Sequence, residues 1–117
     1  MTNLWEETIK IIEHYDKTWD DVQIIYGEKF QITKDNFEKV AKETNYDSGY
    51  GSQKIAKDLV IIGTGFAMSR KEYDGSEWWN FLYTGFDIPK EFKEIKHLGG
   101  GYWDNLSELN KEKKELK

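Results

Sequence analysis

The chain contains no cysteine among its 117 residues. This absence excludes disulfide bridges, thiolate metal ligands and a cysteine nucleophile, and it is typical of proteins of a reducing cytoplasm. Apolar runs are far shorter than the roughly 18 residues of a membrane-spanning helix. The N-terminal segment also carries Glu6 and Glu7 where a secretory signal needs basic residues. We therefore expect a soluble cytoplasmic protein that does not associate with a membrane.

Arginine is nearly absent. Arg70 is the only guanidinium among 17 basic residues, so bidentate recognition of phosphate is limited to one side chain. Acidic residues outnumber basic ones by 22 to 17, and most of the excess lies before residue 31. That part of the chain should repel nucleic acid, and we expect no direct nucleic-acid binding. A solvated acidic helix face explains this charge more simply than mimicry of DNA does.

Motifs for catalysis or metal binding are also lacking. His14 and His97 lie in distant parts of the chain, and neither has neighbours at metal-ligand spacing. The serines have no His-and-acid context, and Gly49 and Gly51 are not followed by the Lys-Ser/Thr of a phosphate-binding loop. We therefore predict that the protein is not an enzyme and that it uses neither a metal nor a cofactor.

Three segments place apolar residues at helical spacing. The first follows Asn3, a favourable helix cap, and carries Glu6 and Glu7 in its first turn, where the helix dipole favours acid. The pattern predicts helices over about residues 3–17, over 35–43, and in the segment that contains Trp103, Leu106 and Leu109.

Five β-branched or aromatic runs are bounded by turn residues. They predict strands at Val22–Tyr26, Phe30–Ile32, Leu59–Ile62, Phe66–Tyr73 and Glu77–Tyr83. Asn45–Ser52 is a loop by composition, and residues 84–101 are compatible with a strand, a short helix or a loop. The predicted fold is α+β, with a mainly antiparallel sheet of three to five strands packed against the N-terminal and middle helices, plus a C-terminal helix. Residues 1–110 are predicted to form a single domain, followed by a charged C-terminal tail at 111–117.

Asp74-Gly75 predicts a type I′ hairpin turn, and this turn sets the strand register so that Arg70 lies opposite Trp79. Residues alternate between the two faces of the hairpin. One face carries Arg70 and Trp79, and the other carries Tyr73, Trp78 and Asn80. Because each face has a tryptophan, we expect a helix to cover one face and a loop, a partner or a ligand to meet the other.

Arg70 and Trp79 admit two interpretations. In the first, which the frequency of cross-strand cation–aromatic pairs favours, Arg70 lies between a carboxylate and the Trp79 ring and stabilises the sheet. In the second, the hairpin and the preceding tyrosine-containing loop form a pocket that stacks a planar group and holds one anion. The candidate ligand-binding residues are Tyr46, Tyr50, Arg70, Tyr73, Trp78, Trp79 and Asn80.

Three short sequence motifs resemble those of a known protein family. They are YDSGYGSQ at Tyr46–Gln53, DLVIIG at Asp58–Gly63 and EYDGSEWW at Glu72–Trp79. With them, residues 19–81 resemble a family of short uncharacterised proteins from phages and prophages of Gram-positive bacteria. The family has no assigned reaction, so the resemblance implies a setting and not a mechanism. Small phage proteins without catalytic residues commonly act by binding.

The resemblance implies a non-catalytic antagonist of host defence in the bacterial cytoplasm. We expect it to bind and sequester a nucleotide-derived immune signal, because aromatic surfaces, Arg70 and glycine turns fall in one segment. The alternative is an anti-CRISPR-like, stoichiometric inhibitor of a host defence enzyme that docks through the acidic N-terminal helix. The partner is then either a nucleotide-like small molecule or a host defence protein. A homo-oligomer and a structural or regulatory phage role both stay open.

Overall fold

The computed structural model describes residues 1–82, 89 and 91–111. In chain order, the elements are β1 (Thr2–Asn3), α1 (Leu4–His14), β2 (Val22–Tyr26), β3 (Gln31–Ile32), α2 (Lys34–Lys42), β4 (Asn45–Tyr46), β5 (Val60–Gly63), β6 (Phe66–Tyr73), β7 (Ser76–Leu82) and α3 (Leu106–Leu109). Five strands form one antiparallel sheet in the order β3-β2-β5-β6-β7, while β1 and β4 form a separate pair. The predicted α+β class is therefore confirmed. Outside the described residues lie the predicted strand end at Tyr83, residues 84–88 and 90 of the segment 84–101, and most of the predicted tail (112–117).

Helix α1 begins where the sequence predicts. The Asn3 side chain accepts a hydrogen bond of 3.1 Å from the backbone N–H of Glu6. The helix ends at His14, before the predicted residue 17, because Asp16 adopts a left-handed conformation with φ of 61°. A residue in this conformation cannot continue a right-handed helix.

Helix α2 is capped by Thr33, whose hydroxyl accepts a hydrogen bond of 3.0 Å from the backbone N–H of Asn36. Its buried residues Phe37, Val40 and Ala41 face α1 and β2. The apolar stripes of both helices therefore contribute to one core with the sheet, as expected for one-sided packing.

The β6–β7 hairpin has the predicted register. Arg70 lies opposite Trp79, and positive φ values at Asp74 (51°) and Gly75 (86°) identify the type I′ turn. Trp79 is 3% exposed, and its indole N–H donates a hydrogen bond of 2.9 Å to the Thr8 hydroxyl of α1. Trp78, by contrast, is 41% exposed. Helix α1 therefore covers the hairpin face that carries Trp79, as expected for one of the two faces.

Two local predictions need correction. Asn45 and Tyr46 do not belong to a plain loop, because they pair with Thr2–Asn3 as strand β4. A pairing of two residues across more than 40 positions has no periodic sequence signal. The C-terminal helix excludes Trp103, which has a φ of 59°, and spans only Leu106–Leu109. None of the helices among the described residues is long and apolar enough to cross a membrane.

Candidate functional site

A buried ionic cluster lies where α1 packs against the β6–β7 hairpin. We define this cluster as Glu7, Tyr46, Arg70, Glu77 and Trp79. The Arg70 guanidinium lies 2.9 Å from the Glu77 carboxylate and 3.3 Å from the Glu7 carboxylate, and its side chain has 0% exposure. It also lies 4.8 Å from the centroid of the Trp79 ring. The predicted position of Arg70, between a carboxylate and that ring, is confirmed.

Hydrogen bonds complete the buried ionic cluster. The Tyr46 hydroxyl donates to Glu7 at 2.5 Å and accepts from Arg70 at 2.9 Å. Glu77 accepts from the backbone N–H groups of Lys54 at 2.6 Å and Ile55 at 3.2 Å. Both terminal nitrogens of Arg70 are therefore engaged, and its Nε–H is buried without a partner. The cluster fits the first interpretation, in which Arg70 stabilises the sheet, since the guanidinium is fully buried and not accessible to a ligand phosphate.

The environment of the buried ionic cluster sets the charges of Tyr46 and Arg70. Burial raises the pKa of the Tyr46 hydroxyl, and the hydrogen bond to Glu7 raises it further against the opposing charge of Arg70. Burial disfavours the charged form of Arg70, but the charge of Glu7 and the contacts with Tyr46 and Glu77 together outweigh this effect and raise its pKa above the ordinary value. Tyr46 therefore stays neutral and Arg70 stays charged at physiological pH.

The seven predicted ligand-binding residues separate into two sets. Tyr46, Arg70 and Trp79 are buried in the ionic cluster, while Tyr50, Tyr73, Trp78 and Asn80 are exposed or half-buried. The Tyr50 loop packs against the hairpin tip at Gly75. The structure does not gather these residues around Arg70, and their role in binding a ligand stays a prediction.

Trp78 and Trp79 meet at what we call the α1–β7 groove, which has a volume of about 400 Å³. The described residues that line it are Glu7, Lys10, Ile11, His14, Trp78 and Trp79. Behind it, the buried ionic cluster holds two carboxylates against one guanidinium. Lys10 at the groove offsets this single excess negative charge, so the groove offers no net positive charge to a phosphate.

A larger cleft of about 540 Å³ lies between the α2–β4 connection and the loop at residues 96–102. We call it the glycine-loop cleft. Its basic and aromatic lining residues include Lys54, Lys96, His97 and Tyr102, and its acidic ones are Glu43 and Asp47. Tyr46 is the one predicted site residue among the described residues that line it.

A single side chain holds one end of the loop at residues 96–102. Asn110 accepts hydrogen bonds from the backbone N–H groups of Lys96 at 2.7 Å and His97 at 2.8 Å, and it donates to the His97 carbonyl at 2.8 Å. The Leu98 carbonyl accepts from the backbone N–H of Ala56 at 2.9 Å. The position of Lys96 and His97 at the cleft is therefore set by residues far away in sequence.

Two glycines allow the loop to approach the Lys54 segment closely. A side chain at Gly99 would place its Cβ 2.8 Å from the Ile55 side chain, and Gly100 has a φ of 103°. Both positions favour glycine, the first for space and the second for conformation. The Gly100 N–H then bonds to the Lys54 carbonyl at 3.1 Å, so that Lys54 and the loop face the same cleft.

The glycine-loop cleft combines positive charge with an exposed ring. Lys54 Nζ lies 4.6 Å from the centroid of the Tyr102 ring, and Tyr102 is 71% exposed. Within the described part of the chain, neither Lys54 nor Lys96 forms an ion pair. This group has no signal in the sequence, because its members are dispersed between residues 54 and 102 and follow no motif. Only the folded loop brings them together.

The described residues contain no group of three acidic or histidine side chains that could hold a metal ion. No protein-family model matches the chain, and comparison with curated proteins and with solved structures finds no match. The resemblance of residues 19–81 to phage proteins therefore stays an expectation based on three short sequence motifs. A function has to be inferred from the chemistry of the clefts.

Proposed function

We propose that this is a non-catalytic phage protein that sequesters a nucleotide-derived signal in the glycine-loop cleft and so antagonises bacterial host defence. The host-defence setting rests on the resemblance of residues 19–81 to phage proteins. The ligand class rests on one observation: Lys54, Lys96 and His97 line one cleft together with the exposed Tyr102 ring.

The charge distribution supports an anionic ligand. The chain has a net charge of −5, yet two lysines without an ion pair among the described residues line the same cleft. A charge-assisted hydrogen bond to phosphate contributes about 1.5–3 kcal/mol. Lys54 and Lys96 are the two side chains that we expect to make such contacts.

The Tyr102 ring supports a planar group on the ligand. Stacking of a nucleobase on an aromatic side chain contributes about 1–3 kcal/mol and tolerates any base. The cleft volume of about 540 Å³ falls within the range of small-molecule pockets, roughly 300–1,000 Å³. A ligand with a base at Tyr102 and a phosphate at the lysines is therefore compatible with the size of the cleft.

The acidic residues of the glycine-loop cleft distinguish a nucleotide from a simple anion. Glu43 and Asp47 would repel inorganic phosphate, but their carboxylates accept hydrogen bonds from hydroxyl and amino groups. A nucleotide carries such donors on its sugar and base as well as its negative charge. We therefore expect it to bind more tightly than phosphate alone.

Isothermal titration calorimetry with cyclic mononucleotides, cyclic dinucleotides and cyclic ADP-ribose isomers tests this proposal. Lys54→Ala and Tyr102→Ala should each weaken the bound member of this panel by roughly tenfold to a hundredfold. The matched controls are Lys71→Ala, which removes an exposed lysine from the hairpin, and Phe92→Ala, which removes an exposed aromatic residue that does not line the cleft. These controls should bind as the parent does.

Two results would contradict the proposal. One is that no member of the panel binds even at millimolar concentration. The other is that a member binds but Lys54→Ala and Tyr102→Ala retain the parental affinity, which would place the ligand elsewhere on the protein.

A further inference from the structure

Half-exposed aromatic side chains lie in and beside the α1–β7 groove. Trp78 is 41% exposed and lines the groove together with Ile11. Tyr15, one turn beyond Ile11, is 42% exposed and stacks on Phe81 with the ring centroids 4.0 Å apart. Tryptophan and tyrosine left exposed beside a groove are the residues that most often dominate binding to another protein.

The surroundings of these aromatic side chains are acidic. Residues 1–21 contain six carboxylates against two lysines, and Glu6, Glu13 and Asp16 are exposed. Glu6 and Glu13 line a second shallow depression on α1, which shares Lys10 with the α1–β7 groove. An apolar centre with an acidic flank complements a surface that has an apolar side chain among basic ones.

Internal contacts hold the walls of the α1–β7 groove in place. The hydrogen bond of 2.9 Å between Trp79 and Thr8 joins β7 to α1, and the ion pair of 3.3 Å between Arg70 and Glu7 orients a side chain of the groove. A surface that is already ordered loses little conformational entropy on binding. The groove is therefore suited to receive a partner without rearrangement.

We propose that the α1–β7 groove is a docking surface for a basic segment of a partner protein. The partner inserts an apolar side chain beside Trp78 and places lysine or arginine residues against Glu6 and Glu13. Lys10 and His14 line the groove itself, so the partner's cationic groups belong on the acidic flank and not inside it. Among the described residues, the groove shares no lining residue with the glycine-loop cleft, and docking does not depend on a nucleotide.

A synthetic amphipathic peptide of lysine and leucine is the probe, and its analogue with glutamate in place of lysine is the counter-probe. Binding is measured by fluorescence anisotropy of the labelled peptides, with the fold of each variant checked by circular dichroism. Trp78→Ala should weaken the basic peptide by about tenfold or more. The pair Glu6→Lys with Glu13→Lys should weaken it as well, while Glu7 is left unchanged because it belongs to the buried ionic cluster.

Matched controls separate this surface from the rest of an acidic protein. Tyr102→Ala removes an exposed aromatic residue elsewhere, and Glu91→Lys with Glu94→Lys reverses two exposed charges elsewhere. Both controls should bind the basic peptide as the parent does. Equal binding by Trp78→Ala, equal binding of the acidic peptide, or equal weakening by the control reversal would overturn the proposal. So would a parental dimer that Trp78→Ala dissociates, because the groove would then be occupied by a second copy of this chain.

Discussion

Replacement of Arg70 by alanine should remove a large part of the stability of this protein. The Glu77 side chain is 2% exposed and the Glu7 side chain 18% exposed, so both carboxylates would lose their counterion in a poorly solvated place. Breaking a buried ion pair from one side costs about 3–5 kcal/mol. Loss of the contact with the Trp79 ring adds on the order of 1 kcal/mol. Since a domain is stable by only about 5–15 kcal/mol, Arg70→Ala should be marginally folded.

Two companion variants separate charge from geometry. Arg70→Lys keeps the positive charge, but an ammonium group lacks the planar fork with which Arg70 reaches Glu7, Tyr46 and Glu77 together. We expect its stability to lie between those of the parent and Arg70→Ala. Lys71→Ala, at the exposed neighbouring position, should change the free energy of unfolding by less than about 0.5 kcal/mol.

Urea denaturation followed by circular dichroism at neutral pH measures these differences. A loss of less than about 1 kcal/mol in Arg70→Ala would refute the reasoning, because the buried ion pairs would then contribute far less than pairs of this kind. Calorimetry on the folded fraction adds a second readout. If Arg70→Ala weakens a nucleotide while Lys54→Ala does not, the ligand lies at the hairpin site predicted from the sequence and not in the glycine-loop cleft.

Three further changes test other parts of the structure. Gly75→Ala should destabilise the protein by about 1 kcal/mol, since φ is 86° at Gly75. The control is Gly49→Ala, whose Cβ would meet nothing closer than 3.9 Å. Equal melting temperatures for the two variants would argue against the type I′ turn. Thr8→Val should cost about 1–3 kcal/mol in urea denaturation, because the buried indole N–H of Trp79 loses its acceptor; an unchanged midpoint would show that this bond contributes nothing. Burial raises the pKa of Tyr46 in the folded state, so the folded protein holds this proton more tightly than the unfolded chain does. The resulting contribution to the free energy of unfolding is fully present below the ordinary tyrosine pKa of about 10, and it is lost as the pH rises through the folded-state pKa. Tyr46→Phe cannot ionise, so it should lose less stability than the parent between about pH 9 and pH 11.5, and a parallel decline of both proteins would contradict this cause.

Neighbouring residues determined helices α1 and α2 and the strands of the main sheet. The Asn3 cap located the start of α1, and Asp74-Gly75 set the hairpin register that brings Arg70 opposite Trp79. These features were predictable because each depends on residues a few positions apart, where capping, turn geometry and side-chain alternation act. The described strand ends of the main sheet lie within one residue of the predicted ones, and β2 and β6 match at both ends.

The candidate sites depended on contacts that no local pattern contains. Arg70 meets Glu7 across 63 positions and Trp79 meets Thr8 across 71, so only the packing of α1 on the hairpin decided which tryptophan is covered and that Arg70 is enclosed. The glycine-loop cleft depends in the same way on Asn110, which holds the backbone at Lys96 and His97. Local physics thus determined most of the segments and the register of the β6–β7 hairpin. Long-range packing decided which side chains remain available to a ligand, because it depends on how all the apolar surfaces of the chain are buried together.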